Sequence, residues 1–190
     1  MLPYVLAGHL TLSGERRKAV LMNDGLAEMF RYNAWANREL FEFCRSLREE
    51  QLDTQVPGTS GSVRELLMHI VGGQQTFILR TKGRQHEGEL TRRSAWPGID
   101  RLVEIVESTS EELIVIAEQL DDREEVDLPY LGKVYRYPKR FFLVHAMAHS
   151  AEHRTEVKVA LGHIGVETPD LDGWPYSFAV GYGEVVGNNM

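Results

Sequence analysis

Cysteine is almost absent from this 190-residue chain, which contains one, Cys44. A single cysteine excludes an internal disulfide and is compatible with a reducing compartment, so we predict a cytoplasmic location. Cys44 falls in an amphipathic pattern, which favours a small buried side chain over a nucleophile. No apolar run approaches the ~20 residues of a membrane span, and the first residues, MLPYVLAGHLTLSGERR, lack the basic start of a signal peptide. We expect no membrane partner.

Positive charge is also scarce, because 21 Lys and Arg residues face 28 Asp and Glu residues, giving a net charge of −7. This balance argues against a surface that follows nucleic-acid phosphates, so no nucleic-acid partner is expected. The short basic clusters Arg16–Lys18 and Arg92–Arg93 are predicted to be solvated surface. No Gly-rich loop of the P-loop or Rossmann type is present, which argues against nucleotide chemistry.

Helical periodicity is what the sequence does contain, in four segments. The first predicted helix runs from about Asp24 to Leu47, with Asn23 or Asp24 as its cap, and its apolar stripe includes Asn33 and Asn37. The turn-rich loop VPGTSG follows it.

The second predicted helix begins at Ser62 and continues to about Arg80. Ser62 and Glu65 match the S-x-x-E capping box, in which each side chain satisfies a free backbone donor of the other residue. Gly72 and Gly73 lower the helix propensity of this segment but allow another helix to approach closely.

The second half of the chain is predicted to hold two further helices. A polar connection, residues 81–97, precedes the third helix at about 99–120, and a small hairpin is predicted at 126–137 around Leu131 and Gly132. Pro138 opens the fourth helix, which ends near Gly162 or Gly165. The tail, PDLDGWPYSFAVGYGEV, is expected to pack over the bundle without regular structure. We predict one domain, 1–190, with an N-terminal extension 1–22, a bundle core at about 24–165 and a C-terminal tail 166–190.

Three histidines lie four residues apart in the fourth helix, in FLVHAMAHSAEHRTEV. Each step of four turns the side chain by only ~40°, so His145, His149 and His153 share a helix face. Histidines at i and i+4 can share a metal ion, but a catalytic centre of the zinc type needs about three protein ligands. His69, in the apolar run ELLMHIVGG, is the candidate for the third if an antiparallel helix places it opposite His149 and His153.

Simpler explanations for the histidines exist. His69 fits a core histidine bonded to a neighbour, and the histidine face of the fourth helix fits an exposed surface or a set of pairs with Glu152 and Glu156.

Three stretches of the chain resemble the DinB-like superfamily, which includes the DinB/YfiT-type metalloenzymes: FRYNAWANREL, SVRELLMHIVGGQQTFI and HAMAHSAEHRTEV. The resemblance spans most of residues 24–175, including DLDGW in the tail. It implies an all-α, DinB-like four-helix bundle with long crossover connections. To this fold the sequence adds a small hairpin before the fourth helix and an irregular C-terminal tail.

The resemblance also implies a divalent metal bound by His69, His149 and His153, with His145 lining the pocket beside these ligands. Where the family often has His-Arg-Gly-Gln, this chain has His-Arg-Thr-Glu at 153–156. Glu156 is therefore a candidate to support a ligand, and Arg154 to bind an anionic group or to form a salt bridge.

Neutral imidazoles suit Zn, Ni, Fe and Mn alike, so the ligands do not select the metal. A divalent ion lowers the pKa of bound water or stabilises a bound thiolate, so two classes of reaction follow: hydrolysis, or transfer of a low-molecular-weight thiol to a small-molecule substrate. Members of the superfamily include thiol-dependent transferases and isomerases. The alternative is a non-catalytic metal- or ligand-binding stress-response protein. Homodimerisation is a further expectation.

Residues beyond the ligands are candidates for catalysis or substrate contact. Glu65 and Arg154 are the catalytic candidates, although the capping box is the competing role for Glu65. Asn33 and Asn37 fit contact with the substrate and hydrogen bonding in the core equally well.

Overall fold

The computed structural model describes residues 14–85, 90–183 and 186, with side chains from Asp24 onward. Within this part of the chain, the helices are α1 Gly14–Cys44, α2 Glu49–Leu52, α3 Val63–Thr81, α4 Ile99–Gln119, α5 Lys139–His163 and α6 Gly173–Ala179, and the strands are β1 Glu125–Tyr130 and β2 Lys133–Pro138. The four long helices α1, α3, α4 and α5 form the bundle, so the predicted all-α fold is confirmed.

The packing partners in the bundle are not consecutive helices. α1 packs chiefly against α4, and α3 chiefly against α5. Ion pairs of Arg31 with Glu118 and of Arg45 with Asp100 show that α1 and α4 run in opposite directions. The connections that join α1 to α3 and α4 to α5 therefore cross the bundle, as the resemblance implied.

Apolar side chains from all four long helices fill the interior. Leu40, Leu66, Leu102 and Leu161 are fully buried in the larger cluster, and Phe30 and Leu143 lie in the smaller one. In the described part of the chain, every helix is too short or too polar to cross a bilayer.

The first helix begins ten residues earlier than predicted, at Gly14 rather than Asp24. The predicted cap at Asn23 or Asp24 is therefore wrong, because both residues lie inside α1. The preceding residues, ERRKAVLM, are mostly strong helix formers, and their propensity outweighs the local preference of Asn and Asp for a cap. The side chains of Arg16–Lys18 and residues 1–13 lie outside the described part of the chain, so the predictions made for them stay predictions.

The start of α3 agrees with the predicted capping box. Ser62 is the N-cap, its hydroxyl accepts from the Glu65 N–H, and Glu65 Oε2 accepts from the Ser62 N–H at 2.8 Å. Both halves of the capping box are present, so two free donors at the helix start are satisfied. The Glu65 carboxylate is engaged in this cap.

Replacing Ser62 by alanine is expected to lower the free energy of unfolding by about 1 kcal/mol, because the Glu65 N–H loses its acceptor. Urea denaturation of the metal-free protein measures the change. Ser108, on the exposed face of α4, is the matched control, since among the described residues its hydroxyl bonds the Ile105 carbonyl alone. Ser108→Ala should change stability by less than ~0.5 kcal/mol. Equal losses in the two variants would contradict a capping role for Ser62.

The hairpin before the last long helix is confirmed. Tyr130 pairs with Lys133, and the two residues between them, Leu131 and Gly132, have φ of 48° and 74°. Positive φ at both positions is the backbone of a type I′ turn, which suits the twist of paired strands. Pro138 is the N-cap of α5 rather than a residue of its first turn.

The C-terminal tail contains one element that we did not predict, the seven-residue helix α6. Asp172 caps it by accepting from the Trp174 N–H, and Pro175 lies in the first turn, where a missing N–H costs nothing. The expectation that the tail has no regular structure is wrong at this point. Its packing over the bundle is confirmed, since Tyr176 is buried and Tyr32 donates to the Leu171 carbonyl at 2.7 Å.

Candidate metal centre

Three histidines from two antiparallel helices meet between α3 and α5. One ring nitrogen from each of His69, His149 and His153 lies within 4.8 Å of the other two. The three ring centroids form a triangle with sides of 4.5 Å. The structure thus brings together the three residues that the sequence suggested as ligands.

The separation of these nitrogens fits a shared metal ion. His69 Nε2 and His149 Nε2 are 3.0 Å apart. Nitrogens bound at ~2.0–2.1 Å in a tetrahedral zinc site lie roughly 3.3 Å from one another, so a small adjustment would admit an ion. His153 Nδ1 is hydrogen-bonded to Glu156 Oε2 at 3.0 Å, which leaves His153 Nε2 available as a ligand.

Burial keeps two of the imidazoles neutral. It lowers the pKa of His149 to about 3 and that of His69 to about 4, helped at both sites by neighbouring positive charge, including that of Arg92. A neutral imidazole is the form that binds a metal, because protonation would occupy the donor nitrogen. The two side chains are therefore in the binding form at neutral pH.

Gly73 makes room for His149. A Cβ at Gly73 would lie 2.4 Å from His149 Cε1 and 2.7 Å from Nδ1, closer than side chains tolerate. Within the described part of the chain, His149 Nδ1 is buried without a hydrogen-bond partner, while Nε2 faces His69. Gly72 has a separate role, because a Cβ there would lie 1.9 Å from the Leu90 carbonyl oxygen. The predicted close approach at these glycines thus involves one side chain of α5 and one backbone carbonyl.

A cleft of about 650 Å³ adjoins the histidine cluster. His69, His149 and His145 lie on its wall together with Phe77, whose ring centroid is 4.5 Å from that of His145. His145 is outside the three-histidine group, in line with the role in lining the pocket that the resemblance implied.

Comparison with known proteins identifies the family of the chain. The model of the DinB family matches residues 22–181. The chain belongs to the DinB family. No protein with a curated description matches the sequence. In this DinB chain α3 pairs with α5, and a three-histidine cluster with the geometry to hold a metal ion lies between these helices.

Glu156, the last residue of the stretch His-Arg-Thr-Glu, holds the His153 ring in place. Its Oε2 contacts His153 Nδ1 and accepts from Ser60 Oγ at 2.7 Å. Burial alone would raise the pKa of Glu156. The hydrogen bonds from Ser60 and His153 together outweigh burial, so the pKa lies below its ordinary value. The ionised carboxylate fixes the His153 ring and increases the basicity of its other nitrogen.

Glu156→Gln is expected to weaken divalent-metal binding by about tenfold, at the lower end of the ~10–100-fold effect of losing such a carboxylate. A competition titration against a fluorescent chelator measures the dissociation constant. Glu152, exposed one turn earlier on α5, is the matched control, and Glu152→Gln should bind metal like the wild type. An unchanged affinity in Glu156→Gln would show that this contact does not act on the ligand.

Arg154 and the two asparagines form a buried group elsewhere in the DinB bundle. Arg154 donates through one terminal nitrogen to Asn33 Oδ1 at 2.6 Å and to Asn37 Oδ1 at 2.7 Å. Burial lowers the pKa of the guanidinium to about 10. Among the described residues Arg154 has no carboxylate partner. Of the two roles offered for the asparagines, the structure places them in core hydrogen bonding, where they tie α1 to α5.

Sequence reasoning missed the arginines near the centre. Arg92 and Arg93 were predicted to be solvated surface, but both line the cleft beside the histidines, and Arg92 is half-buried. The prediction is wrong for Arg92, because the described segment 90–98 passes over α3 at Gly72 and places this side chain against Ser60. Cys44 is buried as predicted, and burial raises its pKa to about 12, so the thiol stays protonated.

Proposed function

We propose that this protein is a divalent-metal-dependent enzyme that catalyses the attack of water or of a low-molecular-weight thiol on a small molecule. The observation that carries the proposal is the convergence of His69, His149 and His153 beside a cleft of about 650 Å³, with His69 and His149 on its wall. Three protein ligands with a further position for water or substrate are typical of catalytic rather than structural zinc-type sites.

The chain's own residues would have separate tasks in this reaction. His69 and His149 supply neutral donors, and Glu156 holds the His153 ring so that its free nitrogen completes the set. Gly73 leaves the space that keeps the His149 ring between the two helices. When bound, the divalent ion would lower the pKa of a water or thiol at its open position. The cleft confines the small molecule beside that position.

An activity screen with controlled metal content tests this proposal. Protein stripped with a chelator is reloaded with Zn, Ni, Fe or Mn, and each form is assayed against esters, amides and alkylating electrophiles, with and without small thiols. We expect turnover that needs the metal, and its dependence on a thiol separates transfer from hydrolysis. Equal turnover before and after chelation would reject metal catalysis.

The alternative is a non-catalytic metal- or ligand-binding protein of the stress response. It predicts stoichiometric metal binding with no turnover in any arm of that screen. Homodimerisation and a cytoplasmic location stay predictions.

A further inference from the structure

Three arginines line the cleft beside the histidine cluster. Arg80 comes from α3, and Arg92 and Arg93 come from the connection 82–98. Among the described residues, no carboxylate lines this cleft. None of the three arginines forms an ion pair with a residue that the structure describes. Within the described part of the chain, this cleft therefore gathers three cations without a direct ion pair, in a protein whose net charge is −7.

Arg92 is held in a fixed position without losing its charge. Its two terminal nitrogens donate to the carbonyl oxygen and to the hydroxyl of Ser60, each at 2.8 Å. Its Nε is buried without a hydrogen-bond partner among the residues that the structure describes. Both acceptors on Ser60 are neutral, and the Ser60 hydroxyl in turn donates to the Glu156 carboxylate at 2.7 Å, so the cation is oriented but has no carboxylate in direct contact among the described residues. Partial burial of an unpaired cation costs free energy, and a bound anion would recover part of that cost.

The rest of the cleft suits the body of a small organic molecule. Its volume of about 650 Å³ is within the range of ligand pockets. Phe77 and Leu90 supply apolar surface, and the exposed edge of His145 lies next to Phe77. The Arg80 guanidinium lies 5.7 Å from the centroid of the Phe77 ring, so the charged and apolar parts of the wall are adjacent.

We propose that the cleft binds a small organic anion, with its carboxylate or phosphate group on Arg80, Arg92 and Arg93 and its reactive end at the histidine cluster. Guanidinium groups bind both kinds of oxyanion through paired hydrogen bonds, so the arginines define the charge of the ligand and the apolar wall defines its body. This inference rests on the proposed function in one respect, since it takes the cleft as the substrate side of the metal centre.

Three probes of similar shape test the inference: phenylacetate, phenyl phosphate and the neutral phenylacetamide. Calorimetry measures their binding to metal-free and to zinc-loaded protein. We expect at least one of the anions to bind at least tenfold more tightly than phenylacetamide in both forms. The ratio between the two anions tells whether the ligand carries a carboxylate or a phosphate.

Arginine variants then show where the anion binds. Arg80→Gln and Arg93→Gln should each weaken anion binding by at least roughly tenfold, because each variant removes a charge-assisted hydrogen bond and tenfold corresponds to about 1.4 kcal/mol. These two are preferred to Arg92→Gln, which would also release the connection from Ser60. Arg101→Gln, on the exposed face of α4, is the matched control and should bind like the wild type.

Anions that bind no better than phenylacetamide would overturn the inference. So would anion binding that requires zinc and is unaffected in Arg80→Gln and Arg93→Gln, since the anion would then bind the metal directly while the proposed function survived. Failure of the protein to bind a divalent metal, together with arginine-dependent anion binding, would overturn the proposed function and leave the anion site in place.

Discussion

His149→Ala is expected to lower the affinity of the protein for a divalent ion by at least ~100-fold. Loss of a carboxylate that only supports a ligand already costs roughly 10–100-fold, and His149 would contact the ion itself. His149 Nε2 lies 3.0 Å from His69 Nε2, so its removal leaves His69 and His153 as an incomplete pair. Competition with a chelator of known affinity measures the loss.

Two control variants on the same helix sharpen this experiment. His163→Ala removes an exposed histidine from the last turn of α5 and should bind metal like the wild type. His145→Ala removes a ring that contacts Phe77 outside the cluster, so metal affinity should stay within a few-fold. Circular dichroism of each metal-free variant verifies that the bundle has formed. Undiminished stoichiometric binding by a His149→Ala/His153→Ala double variant would refute the assignment of the ligands.

The second large effect is expected from a substitution at Gly73, a residue that has no side chain to bind a metal or a substrate. Alanine in the middle of a helix normally stabilises it by up to ~1 kcal/mol relative to glycine. In Gly73→Ala the new Cβ would lie 2.4 Å from the His149 ring, so the ring or the helix must move. We expect metal affinity to fall by roughly 10–100-fold, as for other losses of ligand orientation, and stability to fall despite the better propensity.

A double-mutant cycle isolates the clash at Gly73. With the ring removed in His149→Ala, adding Gly73→Ala should become neutral or stabilising, because only the propensity gain remains. Gly25 is the control position, since it lies inside α1 with no atom within 4 Å of an added Cβ. Gly25→Ala should raise stability and leave metal binding unchanged. A Gly73→Ala change that destabilises both backgrounds equally would place its cost somewhere other than the His149 ring.

The sequence predicted those parts of the molecule that depend on local geometry. The spacing of His149 and His153 specifies a shared helix face whatever the fold, and the Ser62–Glu65 pair marks its helix start through bonds within four residues. The position of His69 could not be predicted from local spacing. Only the family resemblance and an assumed antiparallel partner helix indicated that it lies opposite His149 and His153. The sequence indicates that Gly72 and Gly73 allow a close approach, but it does not identify the atoms that need the space.

Features that depend on long-range packing were not predictable in this way. Arg92 belongs to a connection without periodicity, so nothing in its neighbours indicates that it lies over α3. The helix α6 is only seven residues long, and its burial comes from Tyr176 packing on α1 residues such as Tyr32, far away in sequence. At α1, a local signal was misleading. Asn23 and Asp24 are good cap residues, but the strong helix formers before them extend the helix past both positions.

The two sides of the histidine cluster are separated by 80 residues of chain, from His69 to His149. An ion bound to both would act as a removable cross-link, closing a loop that contains the whole of α4 and the hairpin. By mass action, the ratio of folded to unfolded protein would then rise in proportion to the free metal concentration, once that concentration exceeds the dissociation constant of the metal. Resistance of the protein to unfolding and proteolysis would thus follow the supply of metal in its surroundings.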